Sequence, residues 1–481
     1  MARDTARALV LDRLFSGGRA GPGAGAAGIR RVIETGRHAL VIGYGRSGRA
    51  AAAFIRRRGG TVRVVDRADT PELRAELERA GIAAGLGGYG AQDLDGTDLV
   101  VVSPGVPWDE PLVETARQRG IEVTSEIDLF FRSCPSRIAG ITGTNGKTTT
   151  TALTAEVLRA GDLRVMRGGN IGEPVLDRLD QLGPEDWVVL ELSSFQLESI
   201  SRPHLRIGAI LNITPDHLDR HKSFERYVEI KTRAVAFMEP GDHAVLNLDD
   251  PACAAMRSHT PGKVIGFGIH VPVDHGIRLS EGWVTIADTG SPRPVLPAAD
   301  VPLPGEHNLS NVMAAIGAGH AAGVDVERMA DAVRRFKAVE HRLELVGSFN
   351  GARWYNDSKA TNPDSTYKAL AAFREPIILI AGGRNKGIDV EPLAQIIASR
   401  VTALVTMGEM GEELARRVRD AGLDRVERAA DLNDAVRKAA ALARPGSVVL
   451  LSPAFTSYDM FSDYEDRGRR FKATVLAELG Q

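Results

Sequence analysis

The sequence predicts an α/β protein of three domains, each built on a largely parallel sheet. Two observations carry this. An apolar run, then glycines, then a helical pattern recurs along the chain, the signature of strand–helix units on parallel sheets. The length, 481 residues, exceeds what one core organises, and at roughly 150 residues per domain it divides into about three.

The first section, 37–135, places strands at His38–Ile42, Thr61–Asp66 and Leu99–Ser103, with helical stretches between them. The second, 136–339, opens on a buried strand, Arg137–Thr142, that runs into a glycine-rich loop and a helix over Thr148–Ala160. Trp187–Leu192 and Ile207–Ile213 read as further strands, 263–304 as β-rich, and Asn308–Ala322 and Val326–Lys337 as helices. The third, 340–481, places strands at Leu343–Val346, Arg353–Asn356, Pro376–Ala381, Ala403–Met407 and Ser447–Ser452, and a closing helix at Asp463–Leu479. Residues 1–36 read as a flexible extension, since Gly, Ala, Pro and Ser dominate 16–28.

Composition narrows the function classes. The hydrophobic share of 43% and charged share of 25% are those of a soluble globular protein. A net charge of −2 provides no basic field for nucleic acid. The two cysteines, Cys134 and Cys253, support neither a disulfide framework nor a thiolate zinc site. No apolar run approaches the ~20 residues of a membrane helix, and the start lacks a signal peptide's apolar middle. The expected compartment is the cytoplasm, with no membrane insertion.

The strongest local signal is Gly140-Ile141-Thr142-Gly143-Thr144-Asn145-Gly146-Lys147-Thr148-Thr149. Glycines let the backbone curl so that several N–H groups face one phosphate cluster, and the following helix adds its positive end. Lys147 supplies a point charge for the β/γ-phosphates and Thr148 a hydroxyl for Mg²⁺. The spacing departs from the usual loop: Ile141 stands where its first glycine belongs, and the glycine is one earlier, at Gly140. The central section is therefore expected to be a P-loop ATPase domain, with ATP held by Gly143, Thr144, Asn145, Gly146, Lys147, Thr148 and Thr149.

In the first section Gly43-Tyr44-Gly45-Arg46-Ser47-Gly48 follows a strand and opens a helix, and Asp66 ends the next strand. This is the dinucleotide fingerprint of a Rossmann-like domain. A close backbone and a helix N-terminus suit any pyrophosphate, including that of a UDP-linked sugar. Ser103-Pro104-Gly105-Val106 forms a second loop at a strand end.

Two more strand ends carry polar groups. Glu191-Leu192-Ser193-Ser194 places a carboxylate where a strand beside a P-loop often completes a Mg²⁺ shell. Asn212-Ile213-Thr214-Pro215-Asp216-His217-Leu218-Asp219 places His217 in a polar strand-end loop, where ligands of open α/β sheets gather. A helical stretch carrying Lys231 follows.

Together with Gly305-Glu-His-Asn-Leu-Ser-Asn311, His341-Arg342, Asn356-Asp-Ser-Lys-Ala-Thr-Asn362 and Leu451-Ser-Pro-Ala454, these motifs resemble the Mur ligases of peptidoglycan synthesis over nearly the whole chain after residue 37. The first-section glycines fit the members that add the first or second residue. Asp357–Asn362 and Gly382-Gly-Arg-Asn-Lys-Gly387 resemble the glutamate-adding branch.

The resemblance implies a UDP-substrate domain, a central ATPase domain and a Rossmann-like amino-acid-binding domain. It implies D-glutamate and UDP-N-acetylmuramoyl-L-alanine as substrates, ATP and two Mg²⁺ ions as cofactors, an acyl-phosphate intermediate, and a monomer. Gly43, Gly45, Arg46, Ser47, Asp66, Ser103 and Gly105 would face the UDP substrate. Arg46 stands where the family usually has an apolar residue. Lys147, His217 and Lys231 would be catalytic, and Thr148, Glu191, His217 and a carbamoylated Lys231 would hold metal. Asn308, Asn311, Arg342, Asp357 and Lys359 would add to the ATP site, and Thr361, Lys386, Ser457 and Tyr464 would bind D-glutamate. The competing readings are an alanine-adding Mur ligase or folylpolyglutamate-type ligase, an NAD-dependent oxidoreductase, and a non-catalytic nucleotide sensor.

Overall fold

The structure is a computed structural model, and it describes residues 36–170, 174–288, 291–337, 339–385 and 389–480. The extension expected at 1–36 lies outside these apart from Gly36, and so does Lys386. The architecture is α/β with three sheets, as the sequence predicts.

The first sheet contains β1 (His38–Ile42), β2 (Thr61–Asp66), β3 (Ala83–Leu86), β4 (Leu99–Val102) and β5 (Glu122–Thr124). Its order is β3-β2-β1-β4-β5, and every pairing is parallel. Leu40, Val41 and Ile42 are fully buried, as expected of a central parallel strand covered on both faces. The short strands β3 and β5 carry no apolar run, so periodicity does not reveal them.

The second sheet has nine strands: β6 (Arg137–Thr142), β7 (Val165–Gly169), β8 (Trp187–Glu191), β9 (Ile207–Ile210), β10 (His243–Asn247), β11 (Lys263–Gly268), β12 (Gly276–Ser280), β13 (Trp283–Ala287) and β14 (Arg293–Pro297). The order is β14-β13-β12-β11-β10-β9-β6-β8-β7. β6 lies between β8 and β9, parallel to both, so the polar ends of all three open on one edge. β9 stops at Ile210 rather than at Ile213. Leu211 N still bonds to Thr142 O at 3.0 Å, but Asn212 turns away to serve the glycine-rich loop.

The third sheet has β15 (Glu344–Phe349), β16 (Ala352–Asn356), β17 (Ile377–Gly382), β18 (Ala403–Met407), β19 (Val426–Arg428) and β20 (Val448–Ala454), in the order β15-β16-β20-β17-β18-β19. Among the strands described, β15 alone runs antiparallel to its neighbour.

The chain forms two compact units. One runs through Leu296 and includes Met313–Ala332; the other comprises Pro297–Val312 and Val333–Gln481. Within the first, the helix Glu126–Ser133 ties the first two sheets together. Ser201 N donates to Asp128 Oδ1 at 2.8 Å, Ser199 Oγ to Ser125 Oγ at 2.9 Å, and Leu176 N to Glu126 Oε1 at 3.2 Å.

Candidate active site

The loop after β6 is shaped by its glycines and held by its neighbour after β9. Gly143 and Gly146 take φ of +152° and +83°, which side chains rarely tolerate. A Cβ on Gly143 would sit 3.0 Å from Leu211 Cβ. Asn212 clasps Asn145 twice: its Oδ1 accepts from Asn145 N at 2.9 Å and its Nδ2 donates to Asn145 O at 3.1 Å. Thr144 N donates to Asn212 O at 2.8 Å, and Thr144 Oγ1 meets Thr214 O, Thr214 N and the Tyr227 hydroxyl at 3.1, 3.0 and 3.2 Å. The helix Lys147–Ala160 follows, with side-chain-less Gly146 as its N-cap, so its positive end faces the loop. Thr148 and Thr149 are buried in its first turn. Lys147 Nζ donates to the carbonyls of Gly143 and Thr144 at 3.0 and 2.8 Å.

Lys231 reaches the same loop from the helix Phe224–Ala236. It is 1% exposed, and its Nζ donates to Thr142 Oγ1 at 3.1 Å and Gly143 O at 3.0 Å, below the Tyr227 ring. Burial, with the Lys147 charge adding to it, holds this amine well below its ordinary pKa.

Glu191, the last residue of β8, is 3% exposed. Its Oε1 accepts from Asn170 Nδ2 at 3.1 Å, while Oε2 is buried and has no partner among the described residues. A buried carboxylate oxygen without a partner is costly. A cation would answer that need, and a carboxylate oxygen is the donor type a hard divalent ion takes. Unmodified, the described residues provide no group of three His, Cys, Asp or Glu that could hold a metal.

His217 and His221 differ in burial. His217 is half exposed, sits at φ +51°, and packs on Phe195 with ring centroids 4.9 Å apart. His221, which the sequence reading overlooked, is the buried one. Its Nε2 lies 2.9 Å from Ser194 Oγ, its ring contacts Phe195 and Tyr227, and Nδ1 has no partner among the described residues. Burial, then the charge of Arg220, pushes its pKa down to about 4, so the ring is neutral. Its spacing of four from His217 was the available signal. Tyr227, one turn before Lys231 on the same helix, could have been found the same way.

In the first domain Gly43, Gly45, Arg46, Ser47, Asp66, Ser103 and Gly105 all line one cleft at the strand ends. Arg67 and Tyr89 line it too and were not foreseen. Arg67 lies over the Tyr89 ring at 5.5 Å and pairs with Glu110 at 2.7 Å. Asp66 shapes the loops: its two oxygens accept from Tyr44 N at 2.8 Å and Ala68 N at 2.9 Å. Gly48 is demanded by crowding, since a Cβ there would lie 2.1 Å from Gly43 O.

In the second unit Asn308 and Asn311 are buried and bonded to each other at 3.2 Å. Asp357 is buried and accepts from Ser452 Oγ at 2.9 Å and Leu343 N at 3.3 Å. Burial lifts its pKa to about 6, against the pull of Arg342. Lys359 lies over the Tyr464 ring at 5.6 Å, and the Tyr464 carbonyl accepts from Ser358 Oγ at 2.8 Å. Thr361 N bonds to Lys359 O at 2.9 Å, and the Ser457 carbonyl accepts from Phe461 N at 2.8 Å. Arg467, fully buried, binds the Ser358 hydroxyl and carbonyl and the Phe455 carbonyl. Nothing in the helical pattern around Arg467 marked it as a staple between these loops.

Comparison with known proteins agrees with this layout. Residues 37–125 match the Mur ligase MurD-like N-terminal domain, 141–319 the Mur ligase middle domain, and 341–455 the glutamate ligase domain of Mur ligases. The chain is 42% identical over 446 residues to UDP-N-acetylmuramoylalanine–D-glutamate ligase of Pelotomaculum thermopropionicum, covering 92% of this chain and 98% of that protein. It is 43% identical over 451 residues to the protein of the same name from Acidobacterium capsulatum, covering 92% and 97%. In fold it is similar to UDP-N-acetylmuramate-alanine ligase of Thermotoga maritima, with a TM-score of 0.57, 20% identity, and coverage of 92% and 99%. The MurF ligase of the same organism, solved with ADP, gives a TM-score of 0.56 at 16% identity, covering 93% and 96%. The NAD-dependent oxidoreductase reading, which leaves the central loop, Glu191 and Lys231 without work, falls away. The chain belongs to the Mur ligase family.

Proposed function

We propose that this chain is an ATP-dependent, ADP-forming ligase that joins D-glutamate to UDP-N-acetylmuramoyl-L-alanine in peptidoglycan precursor synthesis. The observation that carries the reading is the junction of a phosphate loop, a buried carboxylate with a spare oxygen and a buried lysine, in a chain about 42% identical to ligases of that name.

A carboxylate is a poor electrophile because resonance and negative charge shield its carbon. The substrate carboxylate attacks the γ-phosphorus of ATP, forming an acyl phosphate and releasing ADP. Lys147 leaves the carbonyls of Gly143 and Thr144 for the phosphates, and the loop N–H groups bind the charge that develops in transfer. The neutral amine of D-glutamate then attacks the acyl carbon. The tetrahedral adduct expels phosphate and loses a proton, leaving an amide. Thr361, Lys386, Ser457 and Tyr464 hold the amino acid in this reading, and His217 orients the incoming amine or a metal. Thr148, Glu191, His217 and Lys231 would hold two Mg²⁺ ions, which when bound neutralise phosphate charge. Lys231 takes part as a carbamate: its neutral amine attacks CO₂, the nitrogen loses a proton, and an N-bound carboxylate stands where the amine was. Cytoplasmic location and a monomeric state belong to the same reading.

The test is coupled ADP release from purified protein. Turnover must require both the UDP-linked acid and D-glutamate. Turnover with L-alanine on the acid lacking alanine, or on a folate substrate, overturns the assignment.

A further inference from the structure

The loops that follow β17, β18 and β20 are laced together at the carboxyl end of the third sheet. Arg384 N donates to Thr456 O at 2.9 Å, Thr456 N to Arg384 O at 3.1 Å, and Thr456 Oγ1 to the same carbonyl at 2.9 Å. Met410 N donates to Gly383 O at 2.9 Å. Asp459 closes the lacing, because its Oδ2 accepts from Glu409 N at 2.9 Å. One of these loops carries a residue assigned above to the amino acid: Ser457 stands two before Asp459. The loop after β18 carries none.

The contact around Asp459 is built rather than incidental. Gly408 takes φ +75°, and a Cβ on it would lie 2.3 Å from Asp459 Oδ2 and 3.0 Å from Gly383 Cα, so only glycine leaves the carboxylate its place. Asp459 Oδ1 is buried with no partner among the described residues, an arrangement that costs stability. Arg384 and Glu409 also form an ion pair at 2.6 Å, but both are about half exposed, and such surface pairs contribute little. Between the loops after β18 and β20, the tie is therefore the bond from Glu409 N to Asp459 Oδ2.

We propose that Asp459 is a positioning residue for the amino-acid substrate. By anchoring the loop after β20 to the loop after β18, it holds in place the stretch that carries Ser457, two residues before it. The inference rests on the D-glutamate reading above.

Steady-state kinetics of the full-length enzyme, varying ATP, the UDP-linked acid and D-glutamate in turn, test it on Asp459→Ala, Gly408→Ala and Asp459→Asn, with thermal melts of each. The two alanine variants should raise the KM for D-glutamate about tenfold, with a smaller effect on kcat. The other two KM values should stay near wild type, as should the melting midpoint of Asp459→Ala, while Gly408→Ala, strained at its positive φ, should melt lower. Asp459→Asn keeps an oxygen that accepts from Glu409 N, so its KM for D-glutamate should stay within about threefold of wild type. An unchanged KM for D-glutamate in both alanine variants overturns the proposal. So does an equal rise in all three KM values, or an asparagine variant as damaged as the alanine one. If wild-type enzyme uses a different amino acid, it is the D-glutamate reading that fails, and the same comparison with that amino acid tests the latch.

Discussion

Lys147 and Lys231 converge on one oxygen: each ammonium nitrogen lies 3.0 Å from the carbonyl of Gly143. Two cations on one carbonyl, one of them fully buried, is an unfavourable arrangement unless one amine is neutral. Burial and the Lys147 charge both push Lys231 toward that neutral form. A neutral buried amine is the nucleophile that carbamoylation needs, and the carbamate formed would turn a repulsion into an attraction.

Lys231→Ala should therefore lose nearly all ADP release, and a short carboxylic acid such as acetate should restore part of it by standing in for the carbamate. Lys231→Arg, which keeps a charge but cannot become a carbamate, should stay inactive with acetate present. Wild-type turnover in Lys231→Ala would dismiss the carbamate.

Lys147→Ala removes the charge that faces the phosphates while leaving the first-domain cleft intact. Turnover should fall by about 10²-fold or more, while calorimetric binding of the UDP-linked acid persists. A rate near that of wild type would refute the role given to Lys147.

Asn212 is the clasp of the phosphate loop. Asn212→Ala leaves Asn145 N–H without its side-chain acceptor, a loss of about 1–3 kcal/mol when such a group is buried. The KM for ATP should rise about tenfold, and the KM for the UDP-linked acid should not. Equal rises in both would show that Asn212 supports the whole unit rather than the loop.

Glu126 sets a pH dependence of stability. Burial lifts its pKa from 4.5 to about 7. The folded state thus holds the proton more tightly than the unfolded chain. Its contribution is complete below about pH 4.5 and is lost as pH rises through about 7, a difference of about 3 kcal/mol. Melting midpoints should fall from pH 5 to pH 8 in wild type and fall less in Glu126→Gln. Parallel curves would show that Glu126 is not the group responsible.

Much of this protein was legible in its residues because the signals are contiguous. The run Gly140–Thr149 shows strand, loop and helix at once, and the apolar runs of β1, β4, β6 and β8 announce buried parallel strands. Short strands such as Glu122–Thr124 escaped, since three residues carry no periodicity. The expected strand Ile207–Ile213 was too long because Asn212 answers a partner, Asn145, 67 residues away.

What the sequence determined alone was local: which segments become strands, where glycines bend the chain around phosphates, and which residue types stand at strand ends. The tertiary structure decided what those residues experience. Lys231 is one lysine on a helix until folding carries it to Gly143, 88 residues distant, and strips its water. His221 rather than His217 is the buried ring, and Glu191 keeps one oxygen without a partner. Desolvation and charge proximity depend on everything packed around a group, so no stretch of sequence contains them.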